Sequence, residues 1–384
     1  MKRIIISVAL ALAFCLPVYA EEPEYKDAIP EELFEQQMDA SGAEELWDML
    51  SSQTKGYLSS IGVEDISVGS MLALQPSQFF HMLTLMAKDT ISRPQVLFLS
   101  ILGVILLCSV IGGFKEGFLD KSLGGVFSTV SVLCIVASVV APVIHCIDKA
   151  SRAIYDCSNF MLSFVPVLSG IMAVSGQPTA ASTYNMFLFA ASEVTAQIAA
   201  NTVVPLLGIF LAFCVVSGIS PHINLSATAQ FVKSIATWVL GFIVTAFVAL
   251  LSIQTMVSTG VDNVAVKAGK FIIGSFVPVV GGALADAMTS VGGCLMLLKS
   301  VVGVFGILAS AVIFLPVLLE SLVWLVTLKA AAALSDIFDI KPIGEVLKGF
   351  ATAISLLVTV ILCFAVLIIV ATTITLVISA GVTQ

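Results

Sequence analysis

Phe350-Ala-Thr-Ala-Ile-Ser-Leu-Leu-Val-Thr-Val-Ile-Leu-Cys-Phe-Ala-Val-Leu-Ile-Ile-Val-Ala-Thr-Thr-Ile-Thr-Leu-Val-Ile-Ser-Ala380 runs for 31 residues without a charge, a proline or a glycine. As one helix it measures roughly 46 Å, more than the ~30 Å hydrocarbon core of a bilayer, and no turn residue is available to fold it into a hairpin. A tilted or protruding membrane helix is therefore predicted. The rest of the chain agrees with this stretch. Its 384 residues are 59% hydrophobic and only 11% charged, whereas a soluble protein carries about 25% charge. The fold class that follows is all-α, a polytopic integral membrane helix bundle.

Further spans read upstream. Val96–Phe114 and Leu123–Ile144 are uninterrupted, and the polar turn Lys115–Lys121 joins them. Phe160–Val174 is short, with Pro166 and Gly170 near its centre, and Val203–Ile219 contains Pro205. Ile235–Val257 follows, then Phe271–Ala285 with Pro278 and Gly282, then Val301–Val326 with Pro316. Part of this recurs. Lys121-Ser-Leu returns as Lys233-Ser-Ile, and Phe164-Val-Pro-Val167 as Phe276-Val-Pro-Val279, both 112 residues on, with Gly170 matched by Gly282. Lys348-Gly-Phe-Ala-Thr echoes Lys233-Ser-Ile-Ala-Thr after 115 residues. Copies of about 121–232 and 233–347 with a partial third at 348–384 make an internal repeat. The alternative is that Lys marks loop ends and Pro marks kinks in any membrane chain. If the three lysines share the cytoplasmic side, the copies are parallel and each crosses an even number of times. The two Pro/Gly elements are then predicted to be broken or re-entrant, since irregular backbone at membrane depth needs burial in protein or a water-filled cavity.

Charge is segregated. Residues 21–94 hold 14 acids and 4 bases, while 95–384 hold 11 of each. An acidic hydrophilic segment excludes nucleic acid as its partner and disfavours anionic lipid there. Residues 1–20 read as a cleavable signal peptide, with Lys2-Arg3, an apolar core and Val18-Tyr-Ala20 before Glu21. Cleavage would place 21–94 outside the cytoplasm and 95–384 in the membrane. Within 21–94, Pro30 precedes an acidic first turn, Ser41 and Glu44 have capping-box spacing, and Pro76 opens a helix. The stripe Phe79, Phe80, Leu83 and Met86 of that last helix suits either the membrane surface or neighbouring helices.

Enzyme signatures are lacking. There is no Walker A pattern and no His-Glu-x-x-His, and His81, His145 and His222 are far apart in sequence. Tyr155-Asp156 resembles half of an intramembrane aspartyl protease, without a second carboxylate motif to work with. No cofactor, metal or catalytic residue is expected. Most cysteines lie in apolar runs as small hydrophobes; only Cys146 and Cys157 flank a polar stretch that could admit a disulfide. The ionisable residues in apolar surroundings are the sharper signal. Glu320 follows Pro316 by one turn, where unwinding would free carbonyls beside it. Glu193 lies among small residues with Gln197 four on, Asp286 follows Gly281-Gly282, and Lys299 is placed to snorkel. These residues suit either a proton or ion path or pairing between helices. The candidate set is Pro166, Gly170, Pro278, Gly282, Pro316, Glu320 and Glu193, for a pore or a helix break. Small-residue runs such as Gly112-Gly113 and Gly292-Gly293 permit close helix contact, including contact between copies of the chain.

The signal, acidic helical segment and polytopic remainder, with Ser163-Phe-Val-Pro-Val-Leu-Ser-Gly-Ile-Met-Ala-Val-Ser-Gly176 followed by Ala180, Ala181 and Ser182, resemble the stage III sporulation protein AE family. The resemblance implies a non-enzymatic role in endospore formation, in the mother-cell membrane around the forespore. It implies as partners other stage III sporulation membrane proteins and a secretion-type ATPase, in a channel complex similar to specialised secretion systems. No catalytic residues come with it. The competing reading is a secondary transporter or permease for a small solute, built from the repeats and using Glu320.

Overall fold

In lipid every backbone N–H and C=O must be satisfied within the segment, and a continuous apolar run does this only as a helix. The computed structural model, which describes residues 31–72, 74–118, 121–219, 225–276 and 281–381, is helical throughout its long elements. Four short helices come first: α1 Glu31–Ser41, α2 Glu45–Asp48, α3 Ser52–Ser60 and α4 Val68–Leu72. Seven longer ones follow: α5 Pro76–Phe118, α6 Lys121–Val174, α7 Pro178–Ile198, α8 Val204–Ile219, α9 Ser226–Phe276, α10 Gly281–Ile337 and α11 Lys341–Gly381. A single π-helical turn, Ala199–Val203, joins α7 to α8. Six of the resulting rods are long and apolar enough to cross a membrane, α7 and α8 counting as one. The chain is a multi-pass α-helical membrane protein.

The rods run up and down as antiparallel hairpins, and the buried positions show which helices are central. The deciding stretch forms the body of α11, where Phe350, Ile354, Leu357, Ile361 and Phe364 are buried along with Ala353, Val360 and Ile368. A helix apolar on every side belongs in the interior, and α11 packs against α6, α7, α8, α9 and α10. Its pairing with α10 is the most extensive in the bundle. Glycines set the closest approaches. A Cβ on Gly306 of α10 would overlap the Phe164 ring of α6, and one on Gly303 would overlap Leu376 of α11. The first of these explains why Phe164-Val-Pro-Val packs where it does: the ring needs a bare backbone opposite it.

The short helices build a small core of Ala43, Leu46, Leu58, Ile61 and Val63 and rest on α10. Trp47 of α2 meets Phe305 of α10 at 6.1 Å between ring centres, and Phe305 meets Phe160 of α6 at 6.3 Å. Each buried leucine there contributes roughly 1.5–3 kcal/mol, enough to anchor helices too short to stand alone. The expected capping box does not form. Ser41 ends α1 and turns its hydroxyl back to the Met38 carbonyl at 2.8 Å, because Gly42 reverses the chain at a φ of 71°. The cap belongs instead to Ser51, which accepts from the Thr54 amide at 3.2 Å. Pro76 does open a helix, and its buried face is Met82 and Met86 while Phe80 stays 60% exposed. Packing thus claims the methionine side of that stripe. The helix continues through Pro94 without interruption. The predicted signal segment 1–20 lies outside the described residues.

Three expectations are corrected. Pro166 and Gly170 sit inside α6, one continuous helix of 54 residues, so the first Phe-Val-Pro-Val element is neither broken nor re-entrant. Proline removes one donor, and the surrounding α6 turns, packed against α7 and α10, hold the helix across that gap. Pro316 likewise lies within continuous α10 and does not unwind it toward Glu320. Cys146 and Cys157 are free and buried on the same helix. Eleven residues along one helix separate them by about 16 Å, beyond the reach of a disulfide. Pro278 falls outside the described residues, and Gly282 is in the first turn of α10.

The irregularity among the described long helices is the π turn, a one-residue insertion into an α-helix.

Candidate functional site

Two polar contacts flank α6 in its central turns. On one side Lys149 reaches Glu320 of α10, with Nζ and Oε2 2.6 Å apart. The Glu320 side chain is 19% exposed and that of Lys149 40%. On the other side a ladder joins α6 to α7 and the π turn. Ser158 Oγ donates to Glu193 Oε2 at 2.9 Å, and Gln197 Nε2 donates to Glu193 Oε1 at 2.9 Å. Asn201 Nδ2 donates to Gln197 Oε1 at 2.6 Å, and the Tyr155 hydroxyl donates to Asn201 Oδ1 at 2.8 Å. Higher in the same hairpin Asn185 Nδ2 donates to Ser169 Oγ at 2.9 Å, while Ser169 Oγ donates to the Pro166 carbonyl at 2.9 Å.

Local sequence sets this ladder. Glu193, Gln197 and Asn201 recur every four residues, which stacks them on one face of α7. Asn201 belongs to the π turn, whose wider spacing carries that face on before α8 begins.

The arrangement also limits the chemistry. Lys149 and Ser158 are nine residues apart, half a turn out of phase on a helix of 3.6 residues per turn. Glu320 and Glu193 therefore contact opposite sides of α6 and form no carboxylate pair. Glu320 has its counter-charge in Lys149, and Glu193 accepts two hydrogen bonds. Each carboxylate is therefore occupied as a tie between helices. Lys299, read from sequence as a snorkelling residue, has only 3% of its surface exposed. Among the described residues no group of three or more His, Cys, Asp or Glu is placed to hold a metal. A cleft of about 170 Å³ lined by Ser217, Gly218, Lys341, Pro342 and Glu345 is below the ~300 Å³ at which small-molecule pockets begin.

Of the candidate residues, the structure places Pro166, Gly170 and Glu193 along one α6–α7 hairpin, and Pro316 and Glu320 together on α10. Sequence reasoning missed Lys149, Ser158 and Asn201, and read Tyr155 only as part of a protease-like dipeptide, not as the partner of Asn201. For Asn201 the four-residue spacing from Gln197 was a usable signal. For Lys149 none existed, because its partner is 171 positions away.

Hairpins of long apolar helices, tied by a few charged and amide side chains at their centre, define a multi-pass membrane protein of the bundle type. The chain belongs to the stage III sporulation protein AE family, whose model matches residues 62–381. That match includes all six rods. Stage III sporulation protein AE of Bacillus subtilis (strain 168) is 24% identical over 211 residues, covering 54% of this chain and 53% of the relative. The chain thus spans about half the length of the curated relative it matches. No solved structure matches. Family membership assigns the protein to sporulation.

Proposed function

We propose that this chain is a non-enzymatic membrane component of a sporulation-specific channel complex, similar to a secretion apparatus, that links mother cell and forespore. The observation that carries this reading is the match of the stage III sporulation protein AE family across the whole bundle. The saturated polar contacts at α6 support it, since Glu320 and Glu193 serve as ties between helices rather than as a reactive pair. On this reading the protein sits in the mother-cell membrane around the forespore, with α1–α4 on the extracytoplasmic side. Its partners are other stage III sporulation membrane proteins and a secretion-type ATPase.

The test is an affinity pull-down of the intact protein from gently solubilised membranes of sporulating cells, read by mass spectrometry. Recovery of an ATPase and sporulation membrane proteins is the expected result. Recovery of the protein alone at the same yield would overturn the reading in favour of a self-contained permease.

A further inference from the structure

The outward side of α6 changes character along its length. Val130, Cys134, Ala137 and Ala141 are exposed on it, and then His145, Asp148, Arg152, Asp156 and Asn159. Intervals of three and four residues keep all nine on one stripe. The polar part covers about 21 Å of helix. It is open: the Arg152 side chain is 73% exposed and that of Asp148 48%, and the two pair with each other on their own helix. Exposed Gln197 and Asn201 extend the polar surface onto α7, where Tyr155 bonds Asn201.

The outward side of α9 at this level carries large apolar side chains. Glu320 fixes the level of Lys149 on α10, and Phe314, six residues earlier, packs on Phe364 of α11 at 5.6 Å. Farther along α11, Thr375 accepts a hydrogen bond from Gln254 of α9 at 3.3 Å. At 1.5 Å per residue the Lys149–Glu320 pair lies about 25 Å below Thr375, and Trp238 about 24 Å below Gln254. Trp238 and Phe242 are therefore level with the polar stripe. They are 71% and 60% exposed and stack on each other at 5.9 Å. Lipid suits the α9 flank at this depth. It does not suit Asp148, Arg152 and Asp156, since a charge left in hydrocarbon is strongly disfavoured.

We propose that the His145–Asn159 face of α6 lines a water-filled passage at bilayer depth, enclosed by further copies of this chain, while α9 faces lipid. One helix face cannot enclose water by itself. Copies arranged about an axis beside α6 supply the missing walls with the same face, and the alternation of Asp148, Arg152 and Asp156 lets neighbouring copies set opposite charges against each other. Two acids and one base leave each copy one negative charge on this face, so the passage favours cations. The proposal rests on the membrane-component reading, but its test uses the chain alone and so fails independently of partner recovery.

Full-length protein with exposed Cys134 replaced by Ala, and the buried cysteines kept, is given one added cysteine: Asn159→Cys or Asp156→Cys on α6, Trp238→Cys or Phe242→Cys on α9. Each variant is reconstituted in sealed liposomes and treated with a charged, membrane-impermeant maleimide, and labelling above the parent is read. The α6 positions should react on the order of 100-fold faster than the α9 positions, the factor by which lipid excludes a charge. A short bis-maleimide should join two copies at Asn159→Cys. Equal, rapid labelling of both helices would put this level in bulk water, and protection of both would bury the stripe; either overturns the passage. Labelling of α6 without cross-linking would overturn its enclosure by copies.

Discussion

Glu320 and Lys149 bring the energetics of the bundle down to two side chains. The pair is partly exposed, so its loss costs less than that of a fully buried pair. Glu320→Gln or Lys149→Met alone is expected to destabilise the protein by about 1–2 kcal/mol, because each leaves the other charge uncompensated among apolar helices. The double variant should recover most of that loss. Thermal unfolding in detergent micelles checks the cycle, and additive losses would mean that the two side chains do not interact. Sporulation should survive Glu320→Gln, since a counter-charged tie is replaceable where a proton carrier is not. Gly306 provides a second test at this scale. Gly306→Val must push the Phe164 ring aside, at a cost of about 1–3 kcal/mol read by the same unfolding measurement. Sequence exposed one half of each relationship. Glu320 stood out as a charge in an apolar run, and Phe164 as part of a repeated motif. Their partners did not, because spatial neighbours on different helices leave no local trace in composition or spacing.

At the scale of elements, the α7–π–α8 rod is where local rules and tertiary packing part company. Pro166, Pro205 and Pro316 each have the local mark of a break, but long helices tolerate a proline when neighbouring helices hold the turns around it. The irregularity is the π turn, whose extra residue is absorbed by widening one turn, which keeps α8 in register with α11 beyond it. There a Cβ on Gly349 would approach Cys214 at 2.8 Å, and Gly218 takes the side chain of Val346. Deleting exposed Thr202 should convert the π turn to α-helix and leave α8 in register with α11, since the widened turn had absorbed that residue. The glycine contacts would stay in place, and the loss should stay within about 1 kcal/mol. Deleting a residue such as Ser182, which has no insertion to remove, should be worse tolerated still. Unfolding temperatures of the two deletions decide the point: if Thr202 is no better tolerated than Ser182, the insertion account fails. The prolines were legible in the sequence as marks of a break, but the π turn at Ala199–Val203 contains neither proline nor glycine, and only the structure showed which turn is widened.

For the whole molecule, the sequence announced helices and membrane but not how the rods are counted. Composition and the Phe350–Ala380 run were enough for the class, since a bilayer leaves so few alternatives for an apolar backbone. They could not say that Phe160–Val174 is the far end of the helix begun at Lys121, because the polar residues from Asp148 to Asp156 have the composition of a loop. Asp148, Arg152 and Asp156 face outward on an unbroken α6, and helical geometry, not polarity, decides continuity. With six rods, the first rod begins and the last rod ends on the same side of the membrane. If α1–α4 are extracytoplasmic, Lys121, Lys233 and Lys348 all come at the cytoplasmic ends of outward-running helices, in agreement with the positive-inside rule. Alkaline phosphatase fused after Gln384 should be active, and a green fluorescent protein inserted at the Asp336–Lys341 turn should fluoresce, since the first folds only outside and the second readily in the cytoplasm. The turn is a fair insertion point because it is held by exposed pairs, Lys348 with Asp336 at 2.8 Å and Lys341 with Asp339 at 3.8 Å, which contribute little to stability. A phosphatase silent after Gln384 but active at Asp336–Lys341 would invert the bundle. Inversion would carry the three lysines to the outer face, against the positive-inside rule, and would exchange the two mouths of the α6 passage.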